Sequence, residues 1–225
     1  EGPNHTWKLP SQVDEVLRRL EEKAALPNLR AMMRQVIDQL VRTPAVVDTT
    51  HPVTRQPVTV TIGAFDLQWI TAQALADPRA IVTLPAAYRE MAAGDFRRIA
   101  PLVVLRRARL GVESAMKHMM DLSSGATAER RARIEREAGT SLLGNAINFP
   151  GMFLGDAWAA HDLGDDFRAP VTSSAPVLIL VGDLDPRTPI ENGREIVRTL
   201  PNGRLVVVEN ASHQRVDKSN LLLWL

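Results

Sequence analysis

The stretch PVLILVGDLDPRTPIENGREIVRTLPNGRLVVVENASH, residues 176–213, decides the fold of this chain. Its continuous apolar run, 177–181, has the composition of a strand buried on both faces of a parallel sheet. A turn rich in Asp and Pro follows. Helical spacing then runs over 190–200 through Ile196, Val197 and Leu200, and a second apolar strand, 205–208, ends in a loop that carries His213. A strand–helix–strand crossover of this kind is right-handed and brings the C-terminal ends of both strands to one edge. Neighbouring strands sit about 4.8 Å apart. Open α/β sheets bind their ligands at that edge, and here it receives Asp185 and His213.

A histidine acting as general base keeps one ring nitrogen free for a proton. A carboxylate on the other nitrogen fixes the tautomer and stabilises the imidazolium. Asp185 and His213 suit those roles, and both stand in loops after strands, where rigid scaffolds present catalytic groups. Spacing alone leaves a second reading open, with Asp185 a turn residue before Pro186 and His213 a surface histidine. Asp183 is a rival acid; its alternative role is to cap backbone amides or to pair with Arg187.

Outward from this segment, the pattern changes near residue 170 and divides the chain into a mainly helical region, 1–170, and an α/β region, 171–225. Val13, Val16, Leu17 and Leu20 form one helical stripe, and Met33, Val36, Ile37 and Leu40 repeat it after Pro27. Ser11 has the residue type of an N-cap. Residues 45–62 alternate apolar with polar around turn residues and predict a hairpin or extended loop. Helices are predicted over 66–76, 85–93, 95–120 with a bend at Pro101, and 127–138. Residues 145–170 predict turns with one short helix over 152–160. A last helix is predicted after His213.

Composition narrows the partners. With 27 Lys and Arg against 26 Asp and Glu, the net charge of +1 creates no field to gather nucleic acid or anionic lipid. No apolar run is long enough to span a bilayer. The chain has no cysteine, so neither disulfides nor thiolate metal sites arise, which slightly favours a cytoplasmic setting. No His or carboxylate spacing predicts a metal or other cofactor. A homo-oligomer stays open. The basic stretch 97–109 is read as a helix with a solvated Arg face, and 129–137 as a surface helix laced by i, i+4 pairs.

The segment GDLDPRTPIENGREIVRTLPNGRLVVVENASH resembles the C-terminal part of α/β-hydrolase-fold serine peptidases of the proline iminopeptidase and tripeptidyl aminopeptidase-like group. There the acid is the Asp closing a G-x-x-D turn before a T-P step, and the base is the His closing a V-x-x-A-x-H stretch; these positions match Asp185 and His213. EGPNHTWKLPSQ and SLLGNAINFP are similar to segments near the cap of the same group. The resemblance implies an α/β fold, comprising a helical cap and the last part of an α/β-hydrolase core, and a peptide or small acyl substrate.

It also implies a serine in a G-x-S-x-G elbow and an oxyanion loop. No G-x-S-x-G occurs in the 225 residues. In the family both elements precede the cap, so the expectation is that the chain is a fragment, inactive by itself, with its nucleophile before Glu1. DLSSG, residues 121–125, would be an elbow only with Asp121 in place of the first glycine, and helical spacing precedes it; Ser123 is read as part of a helix end. Cap carboxylates in the family hold the substrate's free amine, for which Glu90, Glu113, Asp121 and Asp156 are candidates. Phe149 and Trp158, with Trp69, Met152 and Phe153, are candidates for an apolar pocket. An esterase and a non-catalytic binding module on the same scaffold are the alternatives. An acidic cluster facing His213 would favour peptides, and an apolar tunnel would favour esters.

Overall fold

The computed structural model of the chain describes residues 2–109, 114–155 and 157–214. Its helical layer starts with α1 (Pro10–Lys23) and α2 (Leu29–Arg42). Both predicted stripes face inward: Val16, Leu17, Met33 and Val36 are fully buried. Helix α1 begins two residues earlier than an N-cap at Ser11 would allow. Pro10 takes the first helical position, where its fixed φ suits the helix and its missing N–H costs nothing. The Ser11 amide donates instead to Glu137 Oε2 at 3.0 Å.

Strands β1 (Ala45–Thr50) and β2 (Pro57–Ile62) form an antiparallel hairpin, in register from Ala45 opposite Ile62 to Thr50 opposite Pro57. After it come α3 (Ala64–Leu75), α4 (Pro78–Ile81) and α5 (Leu84–Ala92). Leu67, Ala72 and Leu75 of α3 lie in the core, against Tyr88 of α5. The buried Tyr88 hydroxyl meets Thr71 Oγ1 at 2.7 Å, and burial pushes its ionisation well above the ordinary tyrosine range.

The long bent helix predicted over 95–120 is replaced by α6 (Ala100–Arg109) and α7 (Ala115–Ser124). Pro101 stands in the first turn of α6, where it starts a helix rather than bending one. Helix α8 (Ala128–Ala138) follows. Its outer face carries the Arg133–Glu137 pair, while Ile134 is fully buried and packs with Trp7 and Leu9. A 3₁₀ turn at Ala146–Asn148 leads to 152–160, where the described residues form, in place of the predicted helix, only the end of a second 3₁₀ turn, Gly151–Leu154. Helix α9 (Gly164–Arg168) closes the layer. Among the described residues no helix is long and apolar enough to cross a membrane.

The α/β unit consists of β3 (Val177–Gly182), α10 (Ile190–Val197) and β4 (Gly203–Val208). The strands pair in parallel, from Val177 opposite Gly203 to Gly182 opposite Val208. Helix α10 covers one face closely: a Cβ on Gly193 would stand 2.9 Å from Leu205 Cδ1 and 3.0 Å from Val181 Cγ2. The opposite face is open. Leu178 is 63% exposed and Leu180 45%, which corrects the expectation of a strand buried on both sides. Among the described residues this sheet has two strands and one helix packed on it, so half of the alternating side chains meet no second layer. The helix predicted after His213 lies outside the described residues.

Polar contacts clasp this unit to the helical layer. Lys23 Nζ meets Asp183 Oδ2 at 2.8 Å, Arg19 reaches Glu191 at 2.6 Å, and Gln12 Nε2 donates to Asn192 Oδ1 at 2.9 Å. Asp183 thus pairs with Lys23 and not with Arg187, as its turn role would have had it.

Candidate active site

Both strands end at one edge, and their loops are laced together there. The Asp183 amide donates to Val208 O at 3.1 Å and the Leu184 amide to Ala211 O at 3.0 Å. This approach requires a residue without a side chain at the end of β3. A Cβ on Gly182 would fall 2.2 Å from Ala211 O, and the atom it meets is backbone.

Asp185 is held in the first of these loops and is 2% exposed. Its Oδ1 accepts hydrogen bonds from the amides of Arg187 at 2.8 Å and Thr188 at 2.9 Å. Pro186 has no N–H, so the turn aims the next two amides at the carboxylate. Its Oδ2 accepts from the Thr188 hydroxyl and lies 3.1 Å from His213 Nδ1. Burial pushes the Asp185 carboxyl up, but hydrogen bonds from His213 and Thr188 outweigh it and hold the group below its ordinary value. At neutral pH Asp185 is therefore a carboxylate and can only accept. Nδ1 of His213 must carry the proton of that bond, so in the neutral ring Nε2 is left as the free base.

His213 is fixed by its neighbours. Ser212 Oγ donates to Leu75 O at 2.6 Å and the Gln214 amide to Ala76 O at 3.0 Å, both at the C-terminal end of α3. The imidazole is 41% exposed, and Nε2 has no hydrogen-bond partner among the described residues. Two cavities open beside it. One of about 130 Å³ is bounded by Trp7, Asn148, Phe149 and Gly151. The other, of about 480 Å³, reaches along α3 and α6 past Gln73 and Leu102.

Residues 155–221 match the family of TAP-like proteins, which are α/β hydrolases. The matched span contains β3, α10, β4, Asp185 and His213. It supports an α/β-hydrolase family and a hydrolase, on a chain that mixes helices with strands. No curated protein and no solved structure matches the chain.

The remaining candidates are dispersed. Phe149 lines the smaller cavity with His213 and meets Trp69 and Phe65 edge-on, at centroid distances of 5.2 and 5.0 Å. Trp158 stands edge-on to His118 at 5.9 Å and borders neither cavity. Glu90, on α5, is tied to Arg98, whose hydrogen bonds hold its carboxyl below the usual value, and it too borders neither cavity. Asp121 lines the smaller cavity, 3.5 Å from Lys117. Glu113 and Asp156 lie outside the described residues. Ser123 sits in the last turn of α7, which Gly125 closes with a φ of 54°; the DLSSG stretch is a helix end, not an elbow.

Sequence reasoning passed over Thr188, Arg187 and Lys117. The D-x-x-T spacing before Pro189 was the available signal for Thr188, since a hydroxyl three residues after an Asp can close on its carboxylate. Nothing in the sequence brings Lys117, in α7, next to a loop seventy residues later.

Proposed function

We propose that Asp185 and His213 are the acid and base of a serine-hydrolase charge relay, in an enzyme that releases N-terminal residues or short peptides. The observation that carries this reading is the 3.1 Å contact between His213 Nδ1 and the buried, ionised Asp185, with Nε2 directed away from that bond. On this reading the nucleophilic serine comes from outside the 225 residues. Its hydroxyl gives its proton to Nε2 as Oγ attacks the scissile carbonyl. His213 returns the proton to the leaving amine as the C–N bond breaks, and Asp185 orients the ring throughout. The helical layer stands over this edge and bounds both cavities. The α/β-hydrolase match over 155–221 supports the reaction class, and the resemblance of the G-x-x-D and V-x-x-A-x-H stretches supports the peptidase.

The test is hydrolysis of aminoacyl 4-nitroanilides, together with labelling by a phosphonate serine probe. It compares the 225-residue chain with the longest product of its gene. The chain alone is expected to be inert and unlabelled, and the longer product active. In that product Asp185→Asn and His213→Ala each lower kcat by roughly 10³- to 10⁴-fold. Labelling of the 225-residue chain at Ser123, or activity indifferent to His213→Ala, would overturn the reading.

A further inference from the structure

We infer that Thr188 is a positioning residue for the candidate acid–base pair: its hydroxyl pins Asp185 Oδ2 toward His213 Nδ1 and thereby decides which ring nitrogen is left bare. A carboxylate does not aim itself. Its terminal torsion is broad and roughly two-fold, so an Asp held at one oxygen can still swing the other. Oδ1 of Asp185 is occupied by the amides of Arg187 and Thr188, at 2.8 and 2.9 Å. Oδ2 has the Thr188 hydroxyl and His213 Nδ1 as partners, the latter at 3.1 Å. Thr188 thus grips both oxygens, one with its amide and one with its side chain. Among the described residues, removal of the hydroxyl would leave Oδ2 aimed by the imidazole alone.

The Thr188 side chain is itself held still. Its amide is tied to Asp185, and the Pro189 that follows keeps the backbone before it extended. Helix α10 starts directly after Pro189, whose carbonyl accepts from the Asn192 amide at 3.0 Å. A β-branched side chain has few χ1 choices on such a backbone. Serine could make the same bond with more rotamer freedom to lose. Valine copies the shape and cannot donate.

The hydroxyl also bears on the tautomer. An ionised carboxylate can only accept, so the one hydroxyl proton of Thr188 points at Oδ2 and the oxygen presents lone pairs elsewhere. That oxygen lies 3.5 Å from Nδ1. Nδ1 therefore faces two acceptors, Asp185 Oδ2 and Thr188 Oγ1, which favours a proton on Nδ1 and a bare Nε2. Loss of the hydroxyl removes one acceptor and frees the other to turn away. An imidazole with its proton on Nε2 could not take a second one from a nucleophile there.

The inference rests on the hydrolase reading for the use made of Nε2, but the arrangement is measurable without turnover in the 225-residue chain. With isotope-labelled histidine, long-range proton–nitrogen correlations of the His213 ring at about pH 9, where an ordinary imidazole is neutral, read which nitrogen holds the proton. The wild type and Thr188→Ser are expected to hold it on Nδ1, and Thr188→Val to share it between Nδ1 and Nε2. In the longest gene product Thr188→Val should lower kcat roughly tenfold with KM unchanged, and Thr188→Ser should restore most of that rate. Melting curves check that the variants fold, and Thr188→Ala repeats the comparison with a smaller side chain. A wild-type proton on Nε2, a ring indifferent to Thr188→Val, or a serine variant as impaired as the valine one would overturn the inference. The expected ring change, with no hydrolysis by any gene product, would uphold the positioning role and sink the hydrolase. Turnover that needs His213 but ignores Thr188→Val would do the reverse.

Discussion

Leu17 in α1 is fully buried in a core shared by α1, α2, α3, α5 and α6, whereas Leu180 in β3 leaves nearly half of its surface in water. The same residue type thus has opposite surroundings in the two regions. The helical layer, with the hairpin, holds the main apolar core. The α/β unit has one covered face and is clasped to that layer by Lys23–Asp183, Arg19–Glu191, Gln12–Asn192 and Ser212–Leu75, with Leu184 as its side chain in the shared core. The difference separates what keeps the chain folded from what aligns its chemistry: apolar burial does the first and a set of polar contacts the second.

The sharpest way to break that comparison is to truncate both leucines. Leu17→Ala is expected to cost about 2–5 kcal/mol in urea unfolding, through lost transfer energy and a residual cavity. Leu180→Ala should change stability by no more than about 0.5 kcal/mol. Equal costs would mean that β3 is covered in solution. Next in size is Gly182→Ala, whose methyl group would collide with Ala211 O; forcing the two loops apart is expected to cost about 3 kcal/mol. Amide shifts in a heteronuclear spectrum, confined to 182–188 and 208–214, would locate the damage at the active edge and leave the helical layer untouched.

Asp185→Asn should cost about 2 kcal/mol at neutral pH, because it removes the charge that His213 and Thr188 address. Its pH dependence has a definite sign. The folded carboxyl lies below its ordinary value of 3.8, so the unfolded chain binds the proton more readily. The contribution is complete above the unfolded value and is lost as pH falls through the folded one. Wild-type stability should therefore decline more steeply than that of Asp185→Asn below about pH 4, as chemical denaturation at stepped pH would read. Lys23→Met is a milder probe than Asp185→Asn. Its ion pair with the largely buried Asp183 is expected to be worth about 1 kcal/mol, seen as a drop in the thermal midpoint.

The sequence made the order of the α/β unit legible, because period and punctuation agree there, although α10 stops at Val197 rather than 200 and β4 starts at Gly203 rather than 205. The apolar runs end at Gly182 and Val208, Pro189 precedes α10, and Asp185 and His213 fall where the strands stop. The stripes of α1 and α2 and the hairpin were equally readable. Other features depend on tertiary context. Pro101 could bend a helix or begin one, and its place in the first turn of α6 decided between them. The openness of β3 was hidden because an apolar run does not say how many layers will cover it. In the candidate site, Asp185 and His213 were visible in their loops, while Lys117 and Arg187 come to border one cavity only through tertiary packing.

Asp185 and His213 are separated by 28 positions, whereas Arg187 and Gln73 are 114 apart, and Ser212 and Leu75 137. The Asp185–His213 contact closes a short loop whose entropy of closure is met within the strand–helix–strand crossover. The walls around the pair come from distant parts of the chain. Substitutions in α3 or α7 can therefore reshape the space at this edge while the Asp185–His213 contact itself stays intact.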